Sequence, residues 1–400
     1  MENSKLFQNF FDNRLRLFFH NLLSKVHYGQ IHVTFPNNEK YIYKGIKSGP
    51  EADITLNNYK FIKDVMIKGN IGLGESYMNQ NYTTNSLVKL IEFAVRNKNH
   101  FNNIDRGKLI YRIVQKIYHY NNNNSKKNSK SNIKYHYDLG NNFYQFWLDE
   151  TMSYSSALYD KNILDLKKAQ INKYNRLLDL LRPTDKSKIL EIGCGWGSLA
   201  SFIGKNTNAH ITAITISKEQ YNHVSKMIFN QGLQEKVKVE LKDYRDEYNK
   251  YDSIVSVEMF EAVGEKYWKI FFNKINQNLK NQGKAVMQII TIKDELFKNY
   301  QQRPDFIQRY IFPGGMLPSK KILRNLINEE NLNLQNEFSF ANSYEKTLNE
   351  WNNRFQKSWP EISKIGFNEY FKRMWEYYFS YCECGFKIGH TDISQFLISK

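Results

Sequence analysis

The sequence predicts an α/β fold: a doubly wound parallel sheet preceded by a smaller, mixed and largely helical N-terminal domain. Two observations point to this fold. From residue 188 onward, short apolar runs alternate with segments of helical periodicity, which is typical of a parallel sheet with helices on both faces. The first run, K-I-L-E-I, leads into three glycines at alternating positions, Gly193, Gly195 and Gly197. That spacing predicts a tight turn between a strand and a helix N-terminus, at which a ligand can approach the backbone closely.

Residues 1–120 are predicted to form the N-terminal domain. Aromatic and aliphatic residues recur at helical spacing over residues 7–26, and two β-like runs and further helical periodicity follow. Arg14 and Arg16 interrupt the first apolar stripe. Such a stripe suits a helix buried in a domain core, and it also suits a helix lying on an anionic membrane. The sequence leaves both interpretations open.

A linker is predicted at residues 121–132. This segment, N-N-N-N-S-K-K-N-S-K-S-N, is polar, positively charged and low in complexity, as linkers are. The second domain is therefore predicted at residues 133–400. A helix over residues 170–181 leads into its first strand. Five strands are predicted, at residues 189–192, 211–216, 237–241, 251–257 and 285–292.

Polar side chains follow the first four of these strands. The carboxyl ends of parallel strands meet at one edge of the sheet, where ligands bind in folds of this class. The four loops at this edge are residues 191–197, 215–220, 243–245 and 258–261. Glu191 ends the first strand, where its carboxylate could hold a ribose hydroxyl or a cationic group of a ligand.

Composition narrows the class of protein. With 57 Lys and Arg against 40 Asp and Glu, the net charge is +17, which favours nucleic acid, anionic membrane or acidic substrates as partners. Compositional bias toward lysine and asparagine is an equally good explanation. The three cysteines, Cys194, Cys382 and Cys384, fit no zinc pattern, so we expect a reduced compartment and no metal site. No run reaches the roughly 20 apolar residues of a membrane span, and no signal peptide is predicted.

Eight segments occur in the order and rough spacing of one protein family. They begin at His136 (H-Y-D-L-G-N-N-F-Y), Thr151 (T-M-S-Y-S-S-A-L-Y), Leu190 (L-E-I-G-C-G-W-G), Ile214 (I-T-I-S-K-E-Q), Asp243 (D-Y-R-D), Ser256 (S-V-E-M-F-E-A-V-G), Tyr310 (Y-I-F-P-G-G-M-L-P-S) and Arg373 (R-M-W-E-Y-Y-F-S-Y-C-E-C-G-F). On these segments the chain resembles the cyclopropane-fatty-acyl-phospholipid synthases and the mycolic acid cyclopropane synthases related to them. The resemblance runs from residue 135 to the C-terminus and implies a Rossmann-like, S-adenosylmethionine-dependent methyltransferase sheet.

The resemblance also implies an activity. Members of the family add a methyl group from S-adenosylmethionine to a cis double bond of a phospholipid acyl chain. A base then removes a proton from the new methyl group, and the cationic intermediate closes to a cyclopropane ring. A bound bicarbonate ion serves as that base. The implied partner is a phospholipid membrane surface, met peripherally at the inner, cytoplasmic face, and the implied assembly is a homodimer.

Two other classes of function fit the sequence less well. A nucleic-acid methyltransferase would also explain the charge, but amino-group methylation of bases usually shows a D/N-P-P-Y/F segment after the fourth strand. Here that place reads S-V-E-M-F-E, so no nucleic-acid partner is expected. A non-enzymatic lipid-binding protein would not need the intact glycine turn.

Site residues are carried over from the family position by position. Glu261 matches the glutamate that orients bicarbonate and helps to move the proton, and Tyr344 and Ser156 fall at the same site. Gln220 would take the place of the acid that most methyltransferases have after the second strand. Arg245 suits either the adenine or an ion pair with a neighbouring aspartate. The expected cofactor-binding residues are Tyr154, Ser155, Glu191, Gly193, Cys194, Gly195, Thr215, Ser217, Gln220, Tyr244 and Arg245.

Three positions depart from the family pattern. The family often has a cysteine at the position of Ser156 and histidines at the positions of Ile290 and Ala262. Those residues belong to the bicarbonate site, so the departures leave bicarbonate binding open. Without a well-placed base, the cation would lose a different proton. A methyl- or methylene-branched chain without ring closure is therefore the alternative product.

Overall fold

The structure, a computed structural model, describes residues 2–101, 124, 128 and 140–400. The predicted linker, apart from Asn124 and Asn128, lies outside these described residues, as does the start of the motif at His136. The chain divides into two compact units. The first contains Met1–Tyr118, Arg303–Tyr310 and Trp359–Ile388, and the second contains His119–Gln302, Ile311–Ser358 and Gly389–Lys400. The domain boundary at 121–132 stays a prediction.

Helices and strands are labelled in chain order over the described residues. They are α1 (Glu2–Leu23), β1 (Tyr28–Thr34), β2 (Lys40–Lys44), β3 (Lys47–Leu56), α2 (Lys60–Lys68), α3 (Asn70–Met78), β4 (Tyr82–Thr83), α4 (Leu87–Asn97), α5 (Asn141–Gln145), α6 (Leu166–Leu181), β5 (Lys188–Ile192), α7 (Ser198–Asn206), β6 (His210–Thr215), α8 (Lys218–Asn230), β7 (Val237–Leu241), β8 (Tyr251–Val257), α9 (Trp268–Asn278), β9 (Leu279–Ile292), α10 (Asp294–Gln301), α11 (Phe306–Tyr310), α12 (Lys320–Glu329), β10 (Asn333–Ser339), α13 (Ala341–Lys364), α14 (Glu369–Lys387) and β11 (Thr391–Ser399). Among the described residues, no helix combines the length and the apolar character that a membrane span requires.

The first unit is a small mixed domain. Its four-stranded sheet has the order β2-β1-β3-β4, and α14, from late in the chain, packs against α3 and α4. Helix α1 uses its apolar stripe in two ways. Phe19, Leu22 and Leu23 are buried, whereas Phe11 and Leu17 are more than half exposed. The stripe therefore contributes to a core and also presents apolar side chains to solvent.

The second unit contains a seven-stranded sheet in the order β10-β11-β9-β8-β5-β6-β7. Strands β5 to β9 pair in parallel, and β11 is antiparallel to both of its neighbours. The five predicted strands match β5 to β9, so the expected sheet is confirmed. Strands β10 and β11 were not predicted.

Helices cover both faces of this sheet. Along β5, Ile189 packs into a cluster with residues of α6, α7 and α8. Leu190 and Ile192 pack into the opposite cluster, with residues of α9 and α12. Apolar side chains therefore point to both sides of one strand, as in parallel sheets buried on both faces. This confirms the doubly wound architecture. The strand order reverses between β5 and β8, and the crevice at such a switch point is where ligands bind.

Candidate active site

The glycine turn follows β5 at this switch point. Gly193, Gly195 and Gly197 have φ values of 80°, 54° and 81°, in the left-handed region that favours glycine. The N–H groups of Gly193 and Cys194 donate to the Ile214 carbonyl at 3.0 and 3.1 Å. A Cβ on Gly195 would meet no atom of the described residues within 4 Å. Among the described residues, the middle of the turn therefore borders open space, as a ligand-binding turn must.

Glu191 lies at the end of β5, directly before this turn. It is 4% exposed, and within the described part of the chain its Oε2 atom has no hydrogen-bond partner. Burial raises the pKa of this carboxyl to about 8, and the charge of Lys173 offsets the shift only in part. A buried oxygen without a donor is costly. A bound ligand with hydroxyl or ammonium groups would supply that donor.

Tyr154 packs in a cluster of aromatic rings. Its ring centroid is 5.3 Å from those of Trp147 and Trp351 and 5.6 Å from that of Tyr144. Such pairs fix ring orientation and contribute about 1 kcal/mol each beyond their buried area. These contacts therefore hold the Tyr154 ring in a fixed orientation.

Ser155 is bound by a lysine that sequence reasoning missed. The Lys173 ammonium donates to Ser155 Oγ at 2.7 Å and to Gln170 Oε1 at 2.6 Å, two neutral acceptors. Lys173 is fully buried, and burial lowers its pKa to about 8. It lies on α6, 18 residues from Ser155, so only the fold brings the two together.

The predicted residues after β6 bind one another. Thr215 Oγ1 donates to Gln220 Oε1 at 2.7 Å. Ser217 caps α8, because its Oγ accepts from the Gln220 N–H at 3.3 Å. All three residues are buried. The structure thus brings this set together at the carboxyl edge of the sheet.

Tyr244 and Arg245 form part of a short 3₁₀ turn after β7. Arg245 makes a two-pronged ion pair with Asp243, with Nε–Oδ1 and Nη2–Oδ2 distances of 2.9 and 2.7 Å. Pairing with a neighbouring aspartate was one of the two expectations for this residue. Within the described residues, the buried Tyr244 hydroxyl finds no partner, so it can still hydrogen-bond a ligand.

A pair of glutamates follows β8. Glu258 Oε1 accepts from the Ser156 N–H and from Gln288 Nε2, both at 2.8 Å. Its Oε2 accepts from the Tyr344 hydroxyl at 2.6 Å. Glu261 Oε1 accepts from the Ile290 N–H, while its buried Oε2 lacks a hydrogen-bond partner among the residues described.

Two of the predicted catalytic residues, Ser156 and Tyr344, therefore meet at Glu258, which sequence reasoning did not single out. Glu258 lies inside the segment S-V-E-M-F-E-A-V-G, so its place at the sheet edge was evident. Its contact with Ser156 joins positions 102 residues apart, and nothing in the sequence pattern indicates that contact. Only the fold identifies Glu258 as the centre of the site.

S-adenosylmethionine fits these residues. The turn is open at Gly195. The orphaned Glu191 Oε2 and Tyr244 hydroxyl match a ligand that carries ribose hydroxyls, an α-ammonium group and adenine nitrogens.

Comparison with known proteins extends over most of the chain. The family model for mycolic acid cyclopropane synthetase matches residues 124–396, and a model for a domain of unknown function matches residues 18–105. The cyclopropane-fatty-acyl-phospholipid synthase of Escherichia coli is 33% identical over 89% of this chain and 90% of its own. The tuberculostearic acid methyltransferase UfaA1 of Mycobacterium tuberculosis is 33% identical over 82% of this chain and 79% of its own.

A solved structure shares the fold of about two thirds of this chain. The mycolic acid cyclopropane synthase in complex with SAH and CTAB superposes with a TM-score of 0.64 and 28% sequence identity, covering 68% of this chain and 98% of that one. With a family model matching well over half of its length, the chain belongs to the mycolic acid cyclopropane synthetase family.

Proposed function

We propose that the protein transfers a methylene group from S-adenosylmethionine to the cis double bond of unsaturated phospholipid acyl chains and so forms cyclopropane fatty acids. It is an S-adenosylmethionine-dependent methyltransferase. The observation that carries the proposal is the carboxylate pair, Glu258 and Glu261, at the same sheet edge as the glycine turn. Negative charge at this edge stabilises a cation that develops on the lipid, and a carboxylate there can accept a proton.

The residues around the turn would hold the cofactor. Gly193 and Gly195 let the backbone approach it, Glu191 would accept hydrogen bonds from it, and Tyr154 would pack against it. When bound, S-adenosylmethionine supplies an electrophilic methyl group. The aromatic cluster around Tyr154 would present apolar rings to the site, and fewer waters there would protect a cationic intermediate from hydration. Tyr344 orients the Glu258 carboxylate through a hydrogen bond of 2.6 Å.

A second product has support of its own. The tuberculostearic acid methyltransferase is as similar to this chain as the E. coli synthase is. Ser156, Ile290 and Ala262 replace residue types common at the bicarbonate site of the family. Loss of a different proton from the cation would then give a methylene branch instead of a ring.

The protein is further proposed to act in the cytoplasm, bound peripherally to the inner membrane face. The net charge of +17 supports attraction to anionic lipid, and Phe11 and Leu17 on α1 supply exposed apolar contacts. A homodimer is part of the same proposal, and light scattering of the purified protein tests it.

The deciding experiment incubates the protein with S-adenosylmethionine and vesicles of cis-unsaturated phospholipid. Mass spectrometry and proton NMR then identify the acyl chains. A gain of one methylene unit with upfield cyclopropane protons supports the synthase function. The same gain in mass with vinylidene protons supports the branching reaction. Unchanged chains, with the cofactor bound, would contradict the proposed substrate.

A further inference from the structure

The residues at the expected bicarbonate position do not fit that anion. The hydrogen-bond donors there are engaged by carboxylates of the chain itself. The Ser156 N–H and the Tyr344 hydroxyl donate to Glu258, and the Ile290 N–H donates to Glu261. Bicarbonate needs donors of this kind, and the Glu258 carboxylate beside it would repel a further negative charge.

Glu258 is held in place by buried amides. Gln288 on β9 donates to Glu258 Oε1 at 2.8 Å, and Gln395 on β11 donates to Gln288 Oε1 at 3.0 Å. Both glutamines are fully buried. Polar side chains in the middle of a sheet are costly unless they are hydrogen-bonded. The chain from Gln395 through Gln288 therefore aims one amide N–H at the Glu258 carboxylate.

The backbone at Glu258 is in an unusual conformation. Its φ is 48°, in the left-handed region that residues with a Cβ seldom adopt. Strained backbone of this kind persists only where surrounding contacts fix it, and it is common at active sites. At Glu258 those contacts include the Ser156 N–H, the Gln288 amide and the Tyr344 hydroxyl.

The two glutamates differ in their surroundings. Burial, and then the charge of Glu258, raises the pKa of Glu261 to about 8. Burial also raises the pKa of Glu258, but its three hydrogen-bond donors and the Lys173 charge oppose that shift. Near neutral pH the Glu261 carboxyl is therefore largely protonated, whereas the three donors around Glu258 favour the ionised form of its carboxyl.

We propose that the Glu258 carboxylate, and not a bound bicarbonate ion, is the base that accepts the proton during ring closure. This role rests on the proposed function. In that step one C–H bond of the newly attached methyl group breaks. Its electron pair forms the second ring bond at the cationic carbon of the acyl chain, and the proton passes to a carboxylate oxygen of Glu258. Glu258 is then a neutral acid and releases the proton to solvent before the next turnover.

The first measurement needs no variant. Wild-type protein is assayed for ring formation in carbonate-free buffer, with and without added bicarbonate, and its binding of ¹³C-bicarbonate is followed by NMR. We expect activity to be unchanged by bicarbonate and no saturable binding of the anion. Loss of activity on removal of bicarbonate, with recovery on its return, would overturn the proposal, as would saturable binding to the wild-type protein.

Two substitutions of Glu258 then test the base directly. Glu258→Gln should lower the rate about 100-fold or more, the scale of a lost general base, while calorimetric affinity for S-adenosylhomocysteine stays within about threefold. Glu258→Ala frees the Ser156, Gln288 and Tyr344 donors. It should therefore bind ¹³C-bicarbonate and regain activity about tenfold when bicarbonate or formate is added.

The matched control is Glu240→Gln, which removes a partly buried glutamate of strand β7 that pairs with Lys238 and Lys242. It should retain wild-type activity and bind no bicarbonate.

Full activity of Glu258→Gln would refute the base role. If the wild-type protein modifies no acyl chain, the proposed function fails and the base role falls with it. The NMR measurement still shows separately whether Glu258 excludes the anion.

Discussion

Glu191 lowers the stability of the ligand-free protein in a pH-dependent way. Its carboxyl has a pKa of about 8 in the folded chain and about 4.3 in an unfolded one. Between these values the folded state retains a proton that the unfolded state has released. Stability therefore falls as pH rises from about 4 to 8, by on the order of 1 kcal/mol per pH unit, and is constant above that.

Glu191→Gln should remove this penalty. The variant should melt at a higher temperature than the wild type, with a difference that grows from pH 5 to pH 8 and then levels off. It should also bind S-adenosylhomocysteine at least about tenfold more weakly, because an acceptor for the ligand is lost. Thermal melts and calorimetry measure the two effects. A difference in melting temperature that does not depend on pH would contradict the raised pKa of the Glu191 carboxyl in the folded protein.

Glu247→Gln is a control for which we expect a change in melting temperature of the opposite sign. Burial opposes ionisation of Glu247, but hydrogen bonds from Lys242 and from the Asn249 and Tyr248 N–H groups lower the pKa of its carboxyl below the ordinary value. Its ionised form stabilises the fold, so the substitution should lower the melting temperature at neutral pH. This loss in melting temperature should become smaller as pH falls through the range in which carboxyl groups take up protons.

The open side of the glycine turn gives a second residue-scale prediction. Gly195 and Gly232 both have positive φ, 54° and 66°, and a Cβ on either would meet no described atom within 4 Å. Each alanine substitution should therefore cost about 1–2 kcal/mol through backbone strain alone.

Only Gly195→Ala should also weaken binding of S-adenosylhomocysteine, by about tenfold or more, because its Cβ would enter the ligand space. Urea unfolding and calorimetry on both variants separate the two effects. Equal affinities in the two variants would show that the ligand does not approach Gly195.

Sequence reasoning identified the turn residues because their chemistry is local. The glycine spacing and the acid before it lie within seven positions. Glu258 and Lys173 were missed because their roles depend on distant contacts. Lys173 resembles any helix lysine in a basic chain, and its burial against Ser155 follows from how α6 packs.

At the scale of elements, strand β11 is an inner strand of the sheet although it comes last in chain order among the described strands. It pairs with both β9 and β10, and its Phe396 is fully buried. Phe396→Ala should therefore lower the free energy of unfolding by about 3–5 kcal/mol. Leu241 on the edge strand β7 is 50% exposed. Leu241→Ala should therefore change the free energy of unfolding by less than about 0.5 kcal/mol. Urea denaturation compares the Phe396→Ala and Leu241→Ala variants. Similar losses of unfolding free energy in both would contradict the burial of Phe396 in the sheet.

The strands that sequence reasoning missed have patterns that hide them. All seven residues of β10 are exposed or half-exposed, so its sequence N-L-Q-N-E-F-S shows little apolar periodicity. In β11 the buried Ser394 and Gln395 interrupt the apolar run, because Gln395 serves the Glu258 site. Strands β5, β6, β8 and β9 were predictable because burial on both faces leaves near-continuous apolar runs. The edge strand β7 was predictable because its V-K-V-E-L sequence alternates between apolar and polar residues.

At the scale of the whole molecule, charge and α1 together predict membrane binding. The protein should sediment with anionic phosphatidylglycerol vesicles at low salt and detach as salt rises, because screening weakens the attraction. Replacing Phe11 and Leu17 with serine should reduce the bound fraction severalfold without lowering the melting temperature, since both side chains are exposed. Unchanged binding would exclude α1 as the contact.

The make-up of the first unit has a consequence for biosynthesis. Helix α14, which packs against α3 and α4, is translated almost 300 residues after them. The N-terminal segments therefore leave the ribosome with a surface that stays uncovered until Glu369–Lys387 has been made. Contacts of such high sequence separation form late and slowly, and the waiting segments are prone to aggregate. A fragment ending at residue 120 would keep that surface exposed permanently, because the helix that covers it comes only at Glu369–Lys387.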